Sequence, residues 1–156
     1  MDAAVITVSD RSAAGARPDG AGPVAVVALR EAGFSCEAPV IVPDGEDSVA
    51  TALRDAVAAG ARVIVTTGGT GIGPRDRTPE GTGRVLDREI PGIAEELRRR
   101  GAQTVPAAVL SRGLAGIAGG ALVVNLPGSP GAVADGMAVV AGLASHVIAQ
   151  LDGGDH

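Results

Sequence analysis

The chain has 156 residues, 46% of them apolar, enough for one domain whose core needs no disulfide or metal to hold it. One Phe, no Trp and no Tyr leave no aromatic platform on which single-stranded bases could stack, and a net charge of -5 opposes a nucleic acid bound over a broad face. All thirteen basic residues are Arg, which excludes lysine-dependent P-loop or Schiff-base chemistry and leaves Arg, backbone N–H groups, hydroxyls or a metal to meet any phosphate.

In chain order, AAVITV (Ala3 to Val8) is a continuous β-branched run and predicts a strand buried on both faces. No basic region precedes it and the run is too short for a signal peptide, so a cytoplasmic location is expected. Arg11 to Gly22 reads as a Gly-rich loop. Pro23 suits the first turn of a helix that runs to about Ala32 and stops at Gly33. Cys36, the only cysteine, forms no disulfide framework and reads as a small buried hydrophobe.

Ala38 to Val42 predicts a second strand and Pro43 to Asp47 a turn. Asp47 or Ser48 then caps a helix with the apolar stripe Val49, Leu53 and Val57. Ala61 to Thr67 predicts a third strand, which runs into the loop TTGGTGIGPRDRTPE (Thr66 to Glu80). Thr78 reads as an N-cap and Pro79 as the first position of a short helical piece over Glu80 to Leu86.

A further helix is predicted from about Gly92 to Arg100, with Gly101 at its end. Glu95 and Glu96 come early and Arg98, Arg99 and Arg100 late, an order that suits the helix dipole. The Arg run therefore reads as a solvated helix end first and a binding patch second. ALVVNLPGSPG (Ala121 to Gly131) predicts a buried strand with a turn at its end. Val133, Met137, Val140, Ala144, Val147 and Leu151 mark the last helix, in which His146 reads as a structural or interface residue. Residues 151–156 read as a frayed tail. No segment reads as approaching the roughly twenty apolar residues of a membrane span.

Strands alternating with helices, the strands apolar throughout, predict an α/β domain with a mostly parallel sheet covered on both faces. Ligands of such sheets bind beyond the carboxyl ends of the strands. That rule selects Ser9–Arg11, Pro43–Glu46, the Gly loop and Asn125–Gly131.

The Gly loop fails both familiar phosphate patterns. Gly68 and Gly73 have the Walker A separation, but Pro74 and Arg75 follow where Lys and Ser or Thr are required. The dinucleotide fingerprint fails because its third glycine falls on Pro74 or Asp76. The physics remains: glycines let backbone N–H groups turn towards an anion. Thr66, Thr67 and Thr70 add hydroxyls, and Arg75, Asp76 and Arg77 stand beside them. Asp44 on its own is a turn former as readily as a catalytic acid. Together with Asp76 it would repel a polyphosphate unless a cation intervened, and Mg²⁺ is held by one or two carboxylates plus substrate phosphates. The pair points to metal-assisted phosphoryl or nucleotidyl transfer, with Glu46 and Asp47 as possible auxiliaries. Two histidines so placed support no catalytic triad or zinc site.

TTGGTGIGPRDRTPE, LSR (Leu110 to Arg112) and NLPGSP (Asn125 to Pro130), in this order, give the chain a resemblance to the molybdopterin-binding MoaB/Mog family of molybdenum cofactor biosynthesis, from about Val5 to Leu151. The resemblance implies one three-layer α/β/α domain over residues 1–156, assembled as a homotrimer. Catalytic members of that family are molybdopterin adenylyltransferases, which transfer AMP from Mg-ATP to the terminal phosphate of molybdopterin, release pyrophosphate and pass the product to a molybdenum insertase. Carried over residue by residue, the resemblance implies catalytic and Mg²⁺-binding roles for Asp44 and Asp76. It implies substrate or nucleotide binding by Ser9, Gly68, Gly69, Gly71, Ser111 and Asn125, with Ser129 in the same turn. Thr70, Arg75 and Thr78 join the binding list from the chemistry of the loop. The alternative the family leaves open is a non-catalytic molybdopterin-binding or carrier protein.

Overall fold

A period of two divides the sheet between two cores. In the computed structural model, which describes residues 1–154, strands β4 (Val63–Thr67) and β7 (Ala121–Leu126) are buried along their whole length. Val63, Val65, Leu122, Val124 and Leu126 enter one core, while Ile64, Ala121 and Val123 enter the other. Helices on both sides leave these strands no solvated face, which is why they read as unbroken apolar runs.

The remaining strands are β1 (Asp2–Val8), β2 (Ser35–Cys36), β3 (Val40–Val42), β5 (Arg88–Glu89) and β6 (Ala115–Ala118). Their order is β2-β1-β4-β7-β6-β5, with β3 also paired to β1. The pairs β1–β2, β1–β3, β1–β4 and β4–β7 are parallel, and β6 and β5 add an antiparallel flank. Helices α2 (Gly22–Glu31), α5 (Pro91–Thr104) and α6 (Pro130–Leu151) cover one face; α3 (Glu46–Ala58) covers the other, with α4 (Thr78–Gly83) packed on it. The result is the three-layer α/β/α arrangement with a mostly parallel sheet.

Several sequence expectations need correction. The loop after β1 opens with a single helical turn, α1 (Asp10–Ala13), capped by Ser9. The predicted second strand is an exposed edge interrupted before Val40, because Pro39 has no N–H to give a ladder. The α3 cap is Gly45, at φ 144°, rather than Asp47 or Ser48. Arg77 is the cap residue of α4, which ends at Gly83; Thr78 lies inside it. Gly101 does not stop α5, which continues to Thr104 because tertiary packing overrides its weak helix propensity. A side chain there would meet the Cβ of Ala108 at 2.9 Å.

The C-terminal expectations change as well. Residues 151–154 are tied down: Asp152 accepts from Arg62 Nη2 at 2.8 Å, and the Gly153 and Gly154 N–H groups donate to the Gln150 and Ala149 carbonyls. Residues 155 and 156, with His156, lie outside the described residues. By length and mean hydropathy (1.6) α6 does reach what a membrane span requires. Its Val133, Met137, Val140, Ala144 and Ile148 are buried against the sheet, so its apolarity serves the core.

Candidate functional site

The four stretches selected by the strand-end rule meet around one cavity of about 850 Å³ at the carboxyl edge of β1, β4 and β7. Of the expected site residues, Ser9, Asp44, Gly68, Gly69, Thr70, Gly71, Asp76, Ser111 and Ser129 line it. Arg75, Thr78 and Asn125 do not, and each has a structural occupation instead.

The Gly loop extends the β4–β7 ladder by one bond, Gly68 N–H to the Leu126 carbonyl at 3.0 Å, and then turns away. Gly68 and Gly69 hold φ of 95° and 66°, a left-handed pair that other residues adopt at a cost. A side chain at Gly68 would strike the Val8 carbonyl, and one at Gly69 would strike the Thr78 hydroxyl. After the turn, the N–H groups of Gly69, Thr70 and Gly71 donate to no acceptor among the described residues. Consecutive unspent amides beside a left-handed turn form an anion-binding concavity.

Thr78 is fully buried and its hydroxyl donates to the Gly68 carbonyl at 2.9 Å, so it braces the loop from beneath. Asn125 is buried on β7, where its Nδ2 donates to the hydroxyls of Thr66 and Thr82 at 2.9 Å each and its Oδ1 accepts from Leu114 N–H at 3.0 Å. It borders a separate cavity of about 50 Å³ between α5 and α6. Arg112, in the LSR stretch, clasps the loop. It donates to the carbonyls of Gly71 and Asp76 at 2.8 Å each and pairs with Glu80 at 2.5 Å. That pairing holds the Glu80 carboxyl below its ordinary range.

The two acids arrive differently. Asp76 accepts from Gly73 N–H at 2.8 Å through Oδ2, inside an arc that only glycines at 71 and 73 leave open. Asp44 follows β3 and exchanges hydrogen bonds with Asp10 at the end of β1. Burial pushes the Asp44 carboxyl above its ordinary value, reinforced by the charges of Asp10 and Asp76 and opposed by the Asp10 amide and Arg75. Arg75 grips Asp10 with two bonds at 3.1 Å and donates to the Asp44 carbonyl at 2.8 Å. It lowers the Asp10 pKa and ties the Gly loop to both neighbouring loops.

Asp44 Oδ1 and Asp76 Oδ1 accept no hydrogen bond among the described residues. Each acid thus keeps an uncommitted oxygen, and both line the same cavity, which fits a divalent cation shared with substrate phosphates. No group of three or more His, Cys, Asp or Glu forms a protein-only metal cage among the described residues.

Three serines share one disposition. Ser9 Oγ accepts from Ser12 N–H at 3.2 Å, Ser129 Oγ from Ala132 N–H and Ser111 Oγ from Gly113 N–H, both at 3.3 Å. Accepting a backbone proton leaves each hydroxyl its own proton to donate into the cavity. Arg98 holds the Ser111 turn through the Ser111 and Gly113 carbonyls at 3.2 and 3.1 Å, while Arg99 and Arg100 pair with Glu96. The Arg run, expected at a solvated helix end, lies inside α5, which continues to Thr104, and is split between support and surface. Sequence reasoning missed Ser12, Arg17 and Asp19, which also line the cavity; their signal was only membership of a Gly-rich loop after a parallel strand. His146 is exposed on α6, 2.9 Å from the Gln150 amide, and takes no part in the cavity. Cys36 is buried, which raises its thiol pKa.

Comparison with known proteins agrees with this geometry. Residues 4–146 match the family model described as "Probable molybdopterin binding domain". A molybdopterin adenylyltransferase of Pyrococcus furiosus is 40% identical over 149 residues, covering 92% of this chain and 87% of that protein. A molybdenum cofactor biosynthesis bifunctional protein of Synechococcus elongatus is 40% identical over 99% of this chain, which spans 48% of its length. The solved structure of the molybdopterin biosynthesis Mog protein from Mycobacterium ulcerans superposes with a TM-score of 0.91 at 48% identity, covering 96% of this chain and 98% of that one. The chain spans about half the length of the first bifunctional relatives it matches. With the Gly loop, the two acids and the capped serines in one cavity and the match running over nearly the whole chain, the protein belongs to the molybdopterin-binding domain family of molybdenum cofactor biosynthesis.

Proposed function

We propose that the protein is a molybdopterin adenylyltransferase. In this reading a terminal phosphate oxygen of molybdopterin attacks the α-phosphorus of ATP, the bond to the β-phosphate breaks, and pyrophosphate leaves. The observation that carries the reading is the donor set of the cavity: three unspent amides at Gly69–Gly71 and three hydroxyls free to donate, beside two carboxylates with uncommitted oxygens. A plain phosphate cradle has no use for the carboxylates, whereas polyphosphate chemistry that recruits a cation does.

The incoming phosphate is already a nucleophile, so the residues need only position and neutralise. The amides of Gly69 to Gly71 hold a phosphate oxygen, and the hydroxyls of Ser9, Ser111 and Ser129 orient the phosphates around it. Asp44 and Asp76 would hold Mg²⁺, which when bound would offset phosphate charge and polarise the reacting phosphoryl group. Arg75 keeps Asp44 aimed through Asp10, and Arg112 keeps the Asp76 backbone in place. The reading extends to a homotrimer in the cytoplasm that hands its adenylylated product to a molybdenum insertase; family resemblance supports that extension.

Pyrophosphate release from ATP on adding molybdopterin and Mg²⁺ tests the reaction. Release that needs all three components is the expected result. Tight molybdopterin binding with no release would leave a carrier and end the enzymatic reading.

A further inference from the structure

The cavity is short of positive charge, and the shortage singles out one side chain. Asp19, Asp44 and Asp76 line it, against a single cation, Arg17. Of the other arginines at this edge of the sheet, Arg11 is not among the residues that line the cavity, and three are engaged elsewhere. Arg75 is bound to Asp10, Arg77 lies 3.7 Å from Glu80, and Arg112 is bound to Glu80 and two loop carbonyls. Arg17 is exposed and makes no hydrogen bond or ion pair among the described residues.

Its neighbour Asp19 does not quench it. Asp19 Oδ2 accepts the Thr7 hydroxyl at 2.6 Å, and Oδ1 accepts the Ala21 and Gly22 N–H groups at 3.1 and 2.9 Å. Those bonds root the segment two residues beyond Arg17, and Gly20 packs beside Pro130 at the start of α6. The guanidinium therefore sits on a fixed root with a free head. A guanidinium fork matches the oxygens of a phosphate.

We infer that Arg17 is a phosphate-binding arm of this cavity, supplying the one side-chain cation that a substrate phosphate meets there. The inference rests on the adenylyltransferase reading for the identity of the substrates. Two sources carry the phosphate chemistry: the triphosphate of the nucleotide and the terminal phosphate of molybdopterin.

Calorimetric titration of wild type, Arg17→Gln and Arg17→Lys separates them, using a nonhydrolysable ATP analogue with Mg²⁺, molybdopterin, and adenosine as the phosphate-free control. Arg17→Gln is expected to weaken the analogue or molybdopterin by about tenfold, the size of one charge-assisted hydrogen bond. Arg17→Lys should restore part of that loss, adenosine binding should not change, and the ligand that weakens is the one whose phosphate Arg17 holds. Wild-type affinity of Arg17→Gln for both phosphorylated ligands overturns this inference alone and leaves the adenylyltransferase reading standing. An equal loss for adenosine overturns it too, since that would mark a structural role. Wild-type protein that binds neither phosphorylated ligand removes the functional reading and this inference with it.

Discussion

Asp10 and Asp44 exchange hydrogen bonds across two loops: the Asp10 N–H donates to Asp44 Oδ2 at 2.9 Å, and the Asp44 N–H donates to Asp10 Oδ1 at 3.0 Å. The reciprocity makes the ends of β1 and β3 one unit, and Arg75 joins the Gly loop to it.

Replacing Arg75 by Ala should therefore act on geometry. The protein should fold, while kcat falls about tenfold as Asp44 loses its aim. Steady-state pyrophosphate release read beside far-ultraviolet circular dichroism checks this. A variant with unchanged kcat would show that Asp44 needs no such support.

Asp44→Asn and Asp76→Asn should each keep the fold and molybdopterin binding but cut turnover by about 100-fold, the scale of losing charge stabilisation at a reacting phosphate. Chelation of Mg²⁺ in wild type should have the same effect and be reversed by adding the ion. Turnover that survives in Asp76→Asn would take Asp76 out of the reaction.

Asn125→Leu should unfold more easily with no change of shape. The leucine would strand the Thr66 and Thr82 hydroxyls and the Leu114 amide in the core. About 3 kcal/mol of stability should be lost, because buried polar groups would lose their partners. Urea denaturation measures it, and a loss below the error of extrapolation contradicts the bracing role.

The raised Asp44 pKa gives a signed pH dependence. A carboxyl whose folded pKa exceeds its unfolded value binds more protons in the native state. Its ionisation therefore erodes stability as pH rises from the ordinary 3.8 towards the folded value. Activity, which uses the ionised form, should rise across the same window. Asp76→Asn removes one of the charges that raise it, so the Asp44 carboxyl should titrate at lower pH in that variant. Carbon-13 NMR of the Asp44 side chain tests the direction, and an upward move in Asp76→Asn would refute the coupling.

The parallel centre of the fold was legible because β1, β4 and β7 are buried on both faces and carry that fact as apolar runs. The flanks were not. β2 and β5 have two residues each, too few for any period, and β6 is AGIA, whose small residues carry no strand preference. The strand-end rule found the cavity, since Ser9, Asp44, Gly68 to Gly71, Asp76 and Ser129 all line it; Ser111, which also lines it, came from the family resemblance. It could not divide donors from braces. Thr78, Asn125 and Arg75 have the right chemistry for a ligand, but their partners come from other elements: Gly68 for Thr78, Thr66 and Thr82 for Asn125, and Asp10 for Arg75. Arg17 escaped notice for the converse reason, since nothing local distinguishes it from a solvated loop residue.

The helix α6 sets a reach. Its first turn is capped by Ser129 at the cavity, and its last residue is followed by Asp152, held by Arg62 at the opposite edge of the sheet. Its 22 residues span about 33 Å at 1.5 Å per residue. A partner tethered beyond Asp152 starts that far from the mouth, so a tether must contribute about ten extended residues before anything it carries could receive the product directly.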